Sequence, residues 1–292
     1  MKNRRTMCYT VMLLAPAITV LALVVLIPSA QAVILSLKQY SFIHDQEATF
    51  VGLANYARMI HDSEFWAALQ RSFLYTFGTV AGSIGLGLVA ALLMNNAFPM
   101  RGAFRTLLLL PWVLPAAVAA LTWGWLYDYQ FGLINYTLGL LFPGRPLPMW
   151  LGSPNAALPA LIVTSVWKET PFAAVMLLAA LQTIPKDLYE AASIDGASDL
   201  QSFCSITLPS VMPVLSVVTL LELIWAFKQF PLIYIMTGGG PAGSTETLVI
   251  STYKQAFVSF DMGYAASLGV VTLTVSMVFT LVYFVLIQRV ER

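Results

Sequence analysis

Residues 190–213 read E-A-A-S-I-D-G-A-S-D-L-Q-S-F-C-S-I-T-L-P-S-V-M-P. This polar stretch carries Glu190, Asp195 and Asp199, with Asp187 just before it, and long apolar segments flank it on both sides. Pro185 suits the first turn of a short helix, where its missing N–H costs nothing. Asp187 favours the positive end of that helix. The helix is expected over residues 185–194, with Leu188, Ala191 and Ala192 on one small apolar face. Asp195-Gly196 ends it, because glycine can take the left-handed cap. Ser198 followed by Gln201 spells a capping box for a second helix. Along that helix Leu200, Phe203 and Ile206-Thr207 recur at helical spacing, and Pro209 is expected to end it. From 186 to 213 there is one lysine, no arginine and four acids, Asp187, Glu190, Asp195 and Asp199. An anionic inner leaflet attracts basic segments, so a loop lying on lipid headgroups fits poorly. The island is expected to face a protein.

The rest of the chain sets this island in a membrane. Of its 292 residues, 59% are hydrophobic and 10% charged, and the mean hydropathy is +0.78. A soluble domain has roughly 25% charged residues. The apolar runs are long enough for helices rather than barrel strands, so the fold class is an all-α membrane protein. A net charge of +1 offers no field for nucleic acid. Cys8 and Cys204 lie far apart, so neither a disulfide nor a metal site is expected of them. His44 and His61 share one polar loop and read more simply as solvated side chains than as a metal pair. Lys2, Arg4 and Arg5 precede an apolar run that continues through Leu37. A signal peptide's apolar core spans only about 7–15 residues, so this run reads as an uncleaved first transmembrane helix.

Six apolar segments stand out, near residues 8–37, 72–94, 103–127, 157–184, 211–236 and 264–287. Each reaches the ~20 residues that a ~30 Å hydrocarbon core requires. Gly78-x3-Gly82 and Gly87-x2-Ala90-Ala91 suit close helix approach. The division expected is 1–71, a first helix with an outer interfacial loop, and 72–292, a core of five helices holding the loop 185–213. With both termini inside, the inner segments hold Lys2, Arg4, Arg5, Arg101, Arg105, Lys186, Arg289 and Arg292. The outer loops hold Lys38, Arg58, Arg71, Arg145 and Lys254. This bias favours N-in and C-in and makes the island cytoplasmic. The first outer loop, 38–71, is polar with aromatics and is expected to hold short interfacial helices. The run Gly238-Gly239-Gly240-Pro241 is a turn signal and serves either as a spacer or as a close contact.

Ionisable residues at membrane depth point to function. Trp167-Lys168-Glu169-Thr170-Pro171-Phe172 lies near the middle of the fourth segment, where Pro171 is expected to break or kink the helix. Glu222, Trp225 and Gln229 in the fifth recur at spacings of three and four, which is one helical stripe. Aromatic faces with polar neighbours suit a sugar ring. Glu169 and Glu222 can serve such a site or the packing, whereas Lys168 and Lys228 read as structural, pairing with a neighbour or with Glu222. Trp112, Trp123, Trp125 and Tyr127 read as core and aromatic belt.

E-A-A-x3-G-x9-I-x-L-P resembles the signature cytoplasmic loop of permeases of ABC importers, in its carbohydrate-importer spelling. Glu190, Ala191, Ala192, Asp195, Gly196, Ile206, Leu208 and Pro209 stand at matching places. Phe50-Val51-Gly52-Leu53-Ala54-Asn55-Tyr56 is similar to the F-V-G-L-x-N-Y of sugar permeases of the maltose and glycerol-phosphate type. Thr237-Gly238-Gly239-Gly240-Pro241 with Thr245, Thr247 and Leu248 resembles their T-x-G-G-P-x3-T-x-T-L, departing only by an extra glycine and Glu246. The resemblance implies a type I importer permease fold in a prokaryotic inner (plasma) membrane. It implies as partners a second homologous permease subunit, a dimer of cytoplasmic ATPase subunits, an extracytoplasmic sugar-binding protein and membrane lipid. The loop's first helix would couple to the ATPase through Glu190, Ala191, Ala192, Asp195, Gly196 and Pro209. ATP and Mg would be used by that partner, with no cofactor bound by this chain, which has no Gly-Lys-Ser/Thr sequence of its own. In permeases of the maltose type the sugar contacts come from the middles of the two helices flanking the loop. Trp167 and Phe172 match that pattern, and Glu169, Glu222, Trp225 and Gln229 lie in its neighbourhood. One permease of the pair can hold the whole site. Glycerol phosphate or a polyol is the alternative cargo; a phosphate would prefer more cations than Lys168 and Lys228. A stand-alone secondary transporter is disfavoured because no inverted repeat with paired carboxylates is visible. A membrane enzyme is disfavoured because no metal or nucleophile constellation stands out.

Overall fold

Residues 13–43, 47–96 and 99–290 are described in a computed structural model, with side chains to 285 in the last helix. Lys2, Arg4, Arg5, Cys8, His44, Arg292 and the side chain of Arg289 lie outside them. In chain order the helices are α1 (Leu13–Ser36), α2 (Ala54–His61), α3 (Ser63–Asn95), α4 (Arg101–Val113), α5 (Ala116–Leu126), α6 (Leu133–Leu141) and α7 (Pro154–Leu181). After these come α8 (Lys186–Ile194), α9 (Asp199–Phe227), α10 (Pro231–Thr237), α11 (Leu248–Phe257) and α12 (Met262–Val290). Among the described residues the strands are β1 (Lys38–Gln39) and β2 (Thr49–Phe50), paired antiparallel. Five helices, α1, α3, α7, α9 and α12, are long and apolar enough to cross a membrane, and α4 with α5 makes a sixth if that bent pair is one span.

The prolines act differently from one another. Leu114 is extended (ψ 134°) before Pro115, and α4 and α5 meet there at 97°, because proline drives the preceding residue out of the helical region. The break expected at Pro171 is absent: α7 runs through both Pro159 and Pro171. A proline removes one hydrogen bond, and the packed surroundings of a membrane bundle can hold the helix through that loss. Pro209 does not end a helix either. The second helix of the polar island is the start of α9, which passes into the membrane span through a π-turn at Phe203–Thr207. There Leu208 N–H reaches back to Phe203, so the wider turn lies just ahead of the proline. The fifth segment stops at Phe227 instead of reaching Met236, and Pro231 opens α10.

The chain forms two compact units. One comprises Met1–Trp66 and Ser251–Leu273. Here the F-V-G-L-A-N-Y stretch has a physical role. Gly52 takes φ +58° ahead of α2. Asn55 Nδ2 then donates to the carbonyls of Ser36 and Lys38, both at 2.9 Å, and Tyr56 Oη meets Ser36 Oγ at 2.7 Å. Two side chains of one short helix thus fasten the end of α1. Arg58 bonds Asp261 at 2.7 Å and lies 4.1 Å over the Tyr264 ring, whose hydroxyl donates to Asp62 at 2.7 Å.

The other unit comprises Ala67–Ile250 and Thr274–Arg292. Its centre is a glycine seam. A Cβ on Gly78, Gly82 or Gly87 of α3 would lie 3.0 Å from Ile162, 2.5 Å from Val166 and 2.6 Å from Ala173 of α7. Residue numbers rise together on both helices, so α3 and α7 run parallel. The chain must cross back between them, within the stretch that holds α4, α5 and α6. Two apolar cores line this unit. One gathers Tyr75, Leu161, Ala226, Leu232 and Ile250. The other gathers Ala91, Met94, Leu177, Leu181 and Val211. Leu161 packs with Ala226 and Leu181 with Val211, which makes α7 and α9 an antiparallel hairpin. The glycine run after α10 is folded on itself: Thr245 Oγ1 donates to Gly240 O at 2.7 Å and Thr245 N–H to Gly239 O at 3.2 Å. It is a built turn rather than a spacer.

Gly87→Val should lower the unfolding midpoint by several degrees, because overpacking costs about 1–3 kcal/mol and Ala174's backbone nitrogen, 3.1 Å away, cannot yield. Gly85→Ala, with nothing within 4 Å, should keep or raise it. Thermal unfolding in detergent, followed by thiol or dye fluorescence, checks both.

Candidate functional site

Three helices of the second unit bring polar side chains to one point. Tyr75 and Thr79 come from α3, Ser165 and Glu169 from α7, Glu222 and Trp225 from α9, and Gln229 follows α9. Together with Ala226 they line a cavity of about 20 Å³. That is room for about one water-sized group. Spacing explains the convergence: Tyr75–Thr79 and Ser165–Glu169 are each one turn apart, so each pair shares a helix face. Tyr75 Oη and Ser165 Oγ meet at 2.6 Å. Ser83, one turn beyond Thr79, donates to Glu222 Oε2. Glu222 is 2% exposed, and its Oε1 has no partner.

The structure thus brings Glu169, Glu222, Trp225 and Gln229 together. Gln229 does so from outside the helix, since α9 ends at Phe227; it is the cavity rather than the helical stripe that unites them. Phe172 packs on Trp225 with ring centres 5.0 Å apart. Trp167 does not join them. Five residues from Phe172, it points roughly 140° away around the helix and packs instead on Trp123 at 5.5 Å, in a group with Tyr127 and Trp150.

One aromatic read from the sequence as core or belt, Trp112, belongs beside the site. Trp112 stacks on Phe172 at 5.8 Å, extending the Phe172–Trp225 face, and Trp123 holds Trp167. The bend at Leu114–Pro115 sets them on separate limbs, and the Pro111/Pro115 pair was the signal for it. Lys168 makes no ion pair among the described residues. It is 8% exposed and its Nζ donates to Trp112 O at 3.4 Å, next to the α4–α5 break, where carbonyls lose their helical partners. The Glu222–Lys228 pairing is also absent: Glu222 takes Ser83, and Lys228 is exposed. In the first unit a larger cavity of about 420 Å³ is lined by Tyr40, Arg58, Gln255 and Asp261 among others. Its residues carried no motif that marked them in the sequence.

The polar island caps the other end of the α7–α9 hairpin. Pro185 caps α8 rather than opening it. At its C-terminus Gly196 takes φ +79°, Ala197 N–H bonds Ala192 O at 2.9 Å and Gly196 N–H bonds Ser193 O at 3.1 Å. This pair of bonds is the Schellman closure. Ser198 and Gln201 form the full capping box, each side chain serving the other's backbone N–H. Tyr189 Oη meets Thr207 Oγ1 at 2.9 Å, tying α8 to the π-turn. Glu190, Ala191, Asp195, Gly196 and Pro209 are exposed and Ala192 half-buried. Leu188, Ile194 and Leu200 are exposed too, at 47%, 87% and 72%. A rigid element thus presents acids interspersed with apolar side chains.

Residues 83–292 match the family described as binding-protein-dependent transport system inner membrane component. The sulfoquinovosyl glycerol transport system permease protein SmoG of Agrobacterium fabrum is 40% identical, over 95% of this chain and 90% of that protein. The trehalose/maltose transport system permease protein MalF of Thermococcus litoralis is 38% identical over 93% and 91%. Among solved structures, a bacterial ABC transporter involved in the import of the acidic polysaccharide alginate has a chain that superposes with a TM-score of 0.83 at 21% identity, covering 99% of this chain and 98% of its own. At that identity the likeness concerns the fold.

Ser83→Ala should destabilise the bundle by about 1–2 kcal/mol, because it strips a buried carboxyl of its one donor. Ser244→Ala, removing a hydroxyl that makes no hydrogen bond, should cost much less. Paired thermal unfolding of the two variants tests the difference.

Proposed function

The chain belongs to the binding-protein-dependent transport system inner membrane components, and from that premise we propose that it is one of two permease subunits of an ATP-driven sugar importer. The carrying observation is the capped, acidic helix pair closing the α7–α9 hairpin. A docking lever has to be stiff, since a floppy loop absorbs a push instead of passing it on. One capping box, one glycine closure and the Tyr189–Thr207 bond supply that stiffness. In this reading the loop is cytoplasmic and both chain ends are inside. Glu190 faces basic groups in a cleft of a separate ATPase subunit, and Ala191 and Ala192 allow close seating. Asp195 and Gly196 set the turn, and Pro209 marks where the docked segment becomes the span. ATP and Mg belong to that ATPase dimer. When the dimer closes, the loop carries the movement into α7 and α9.

A sugar cargo is supported by the chemistry of the cavity and by a relative named for trehalose/maltose transport. Trp225 in the lining offers an apolar ring face to sugar C–H groups, Phe172 and Trp112 extend that aromatic stack outside the lining, and Glu169, Glu222 and Gln229 offer hydrogen-bonding groups. An extracytoplasmic binding protein delivers the sugar. Trp167 acts in this reading by holding the α5 limb through Trp123.

Glu190→Lys should abolish uptake and release the ATPase during purification while the protein still inserts; normal uptake would remove Glu190 from docking. Gly196→Val should act likewise, since a β-branched residue at φ +79° is strained. Trp225→Ala should change substrate-stimulated ATP hydrolysis by the assembled importer. An unchanged response would assign the sugar to the partner permease.

A further inference from the structure

Resting on the reading that this chain touches the sugar, we infer that the cavity among α3, α7 and α9 selects cargo by charge, accepting a neutral or amino sugar and rejecting an anionic one. Two of its lining groups, Glu169 and Glu222, are carboxyls, and no lysine, arginine or histidine lines it. Lys168, next to Glu169 on α7, does not line the cavity, and its Nζ donates to Trp112 O. Glu222 lines the cavity; its Oε2 is held by Ser83, outside the lining, and its buried Oε1 has no partner. A buried acceptor without a donor is costly, and the donors that line the cavity beside it, from Tyr75, Thr79, Ser165, Trp225 and Gln229, are all uncharged.

A sugar hydroxyl or ammonium group provides the missing donor, and the volume of about 20 Å³ is that of one such group. A carboxylate, sulfonate or phosphate brings acceptors only. Opposite an ionised carboxyl it adds a second negative charge in a medium of low dielectric. Opposite a neutral carboxyl it finds only uncharged donors and no cation in the lining to balance its charge. Trp225 on one wall confines the ring but has no charge with which to compensate. Binding to the delivering receptor is a separate filter, so this one acts inside the membrane.

The test uses the complete importer in nanodiscs with the receptor omitted. Probes are trehalose and maltose, their 6-amino-6-deoxy derivatives and their 6-carboxylates, titrated by tryptophan fluorescence and calorimetry. The neutral and amino forms should bind at least tenfold more tightly than the carboxylates. In E169Q/E222Q, where glutamine keeps the shape and can still accept from Ser83, that ratio should fall toward one. If the double variant does not assemble, E169Q alone should lower the ratio. Equal binding in the wild type, or an unchanged ratio in the variants, overturns the charge inference. If binding is weakened by Trp225→Ala yet shows no charge preference, the sugar reading stands and this inference falls. Binding by no probe, or binding indifferent to Trp225→Ala, overturns both.

Discussion

The close approach of α3 and α7 is the constraint on which the polar centre depends. In a bilayer no hydrophobic drive pulls helices together, so packing and hydrogen bonds hold them. Gly78, Gly82 and Gly87 remove the side chains that would keep the backbones apart. Serine has a single-carbon reach. It can bond another helix only when the two backbones are near, as Ser165 does with Tyr75 and Ser83 with Glu222. The Ser83 donor is what makes the Glu222 carboxyl at membrane depth tolerable; without it the buried carboxyl would have no donor.

From that centre to the polar island the structure is continuous. Below the cavity, Leu177 and Leu181 of α7 and Val211 of α9 share a fully packed core with Ala91 and Met94 of α3. The island itself has few buried groups, and its order comes from local bonds: the Schellman pair, the capping box and the tie from Tyr189 to Thr207. An exposed element stabilised locally keeps its shape with or without a partner. Any partner would therefore meet it preorganised, with little ordering entropy lost on docking.

What the sequence made legible follows the range of the forces involved. Spans are set by length and hydropathy, and the helical segments came out near their expected places. Caps are set by two or three neighbouring residues, so Gly196 and the Ser198–Gln201 box read true. Prolines were harder, because their effect depends on surroundings that the chain does not spell locally. Pro115 bends the chain, while Pro171 and Pro209 sit inside helices held by packing and a π-turn. The stacking of Trp112 on Phe172 and of Trp123 on Trp167 was invisible for a similar reason: it needs the 97° bend that sets α4 and α5 against α7. Gln229 was rightly grouped with Glu222 and Trp225, although it lies beyond the helix that spacing had assumed.

The walls of the cavity differ in stiffness, and this bears on how a movement at the island could reach cargo. Two walls, α3 and α7, are locked by the glycine seam, and a third, α9, is bonded to α3 through Ser83 and Glu222. The fourth is Gln229, in the break at residues 228–230 between α9 and α10, where the chain leaves the helix. From Glu169 to the end of α7 at Leu181 is twelve residues, roughly 18 Å at 1.5 Å per residue. A tilt applied at the island would carry α3, α7 and α9 as one body over that distance. The weakest boundary is then the one at residues 228–230, and the cavity would widen there first. In the proposed reading, access for a sugar would be decided at Gln229, whereas Trp225 and the two carboxyls would stay on the stiff side, carried by α7 and α9.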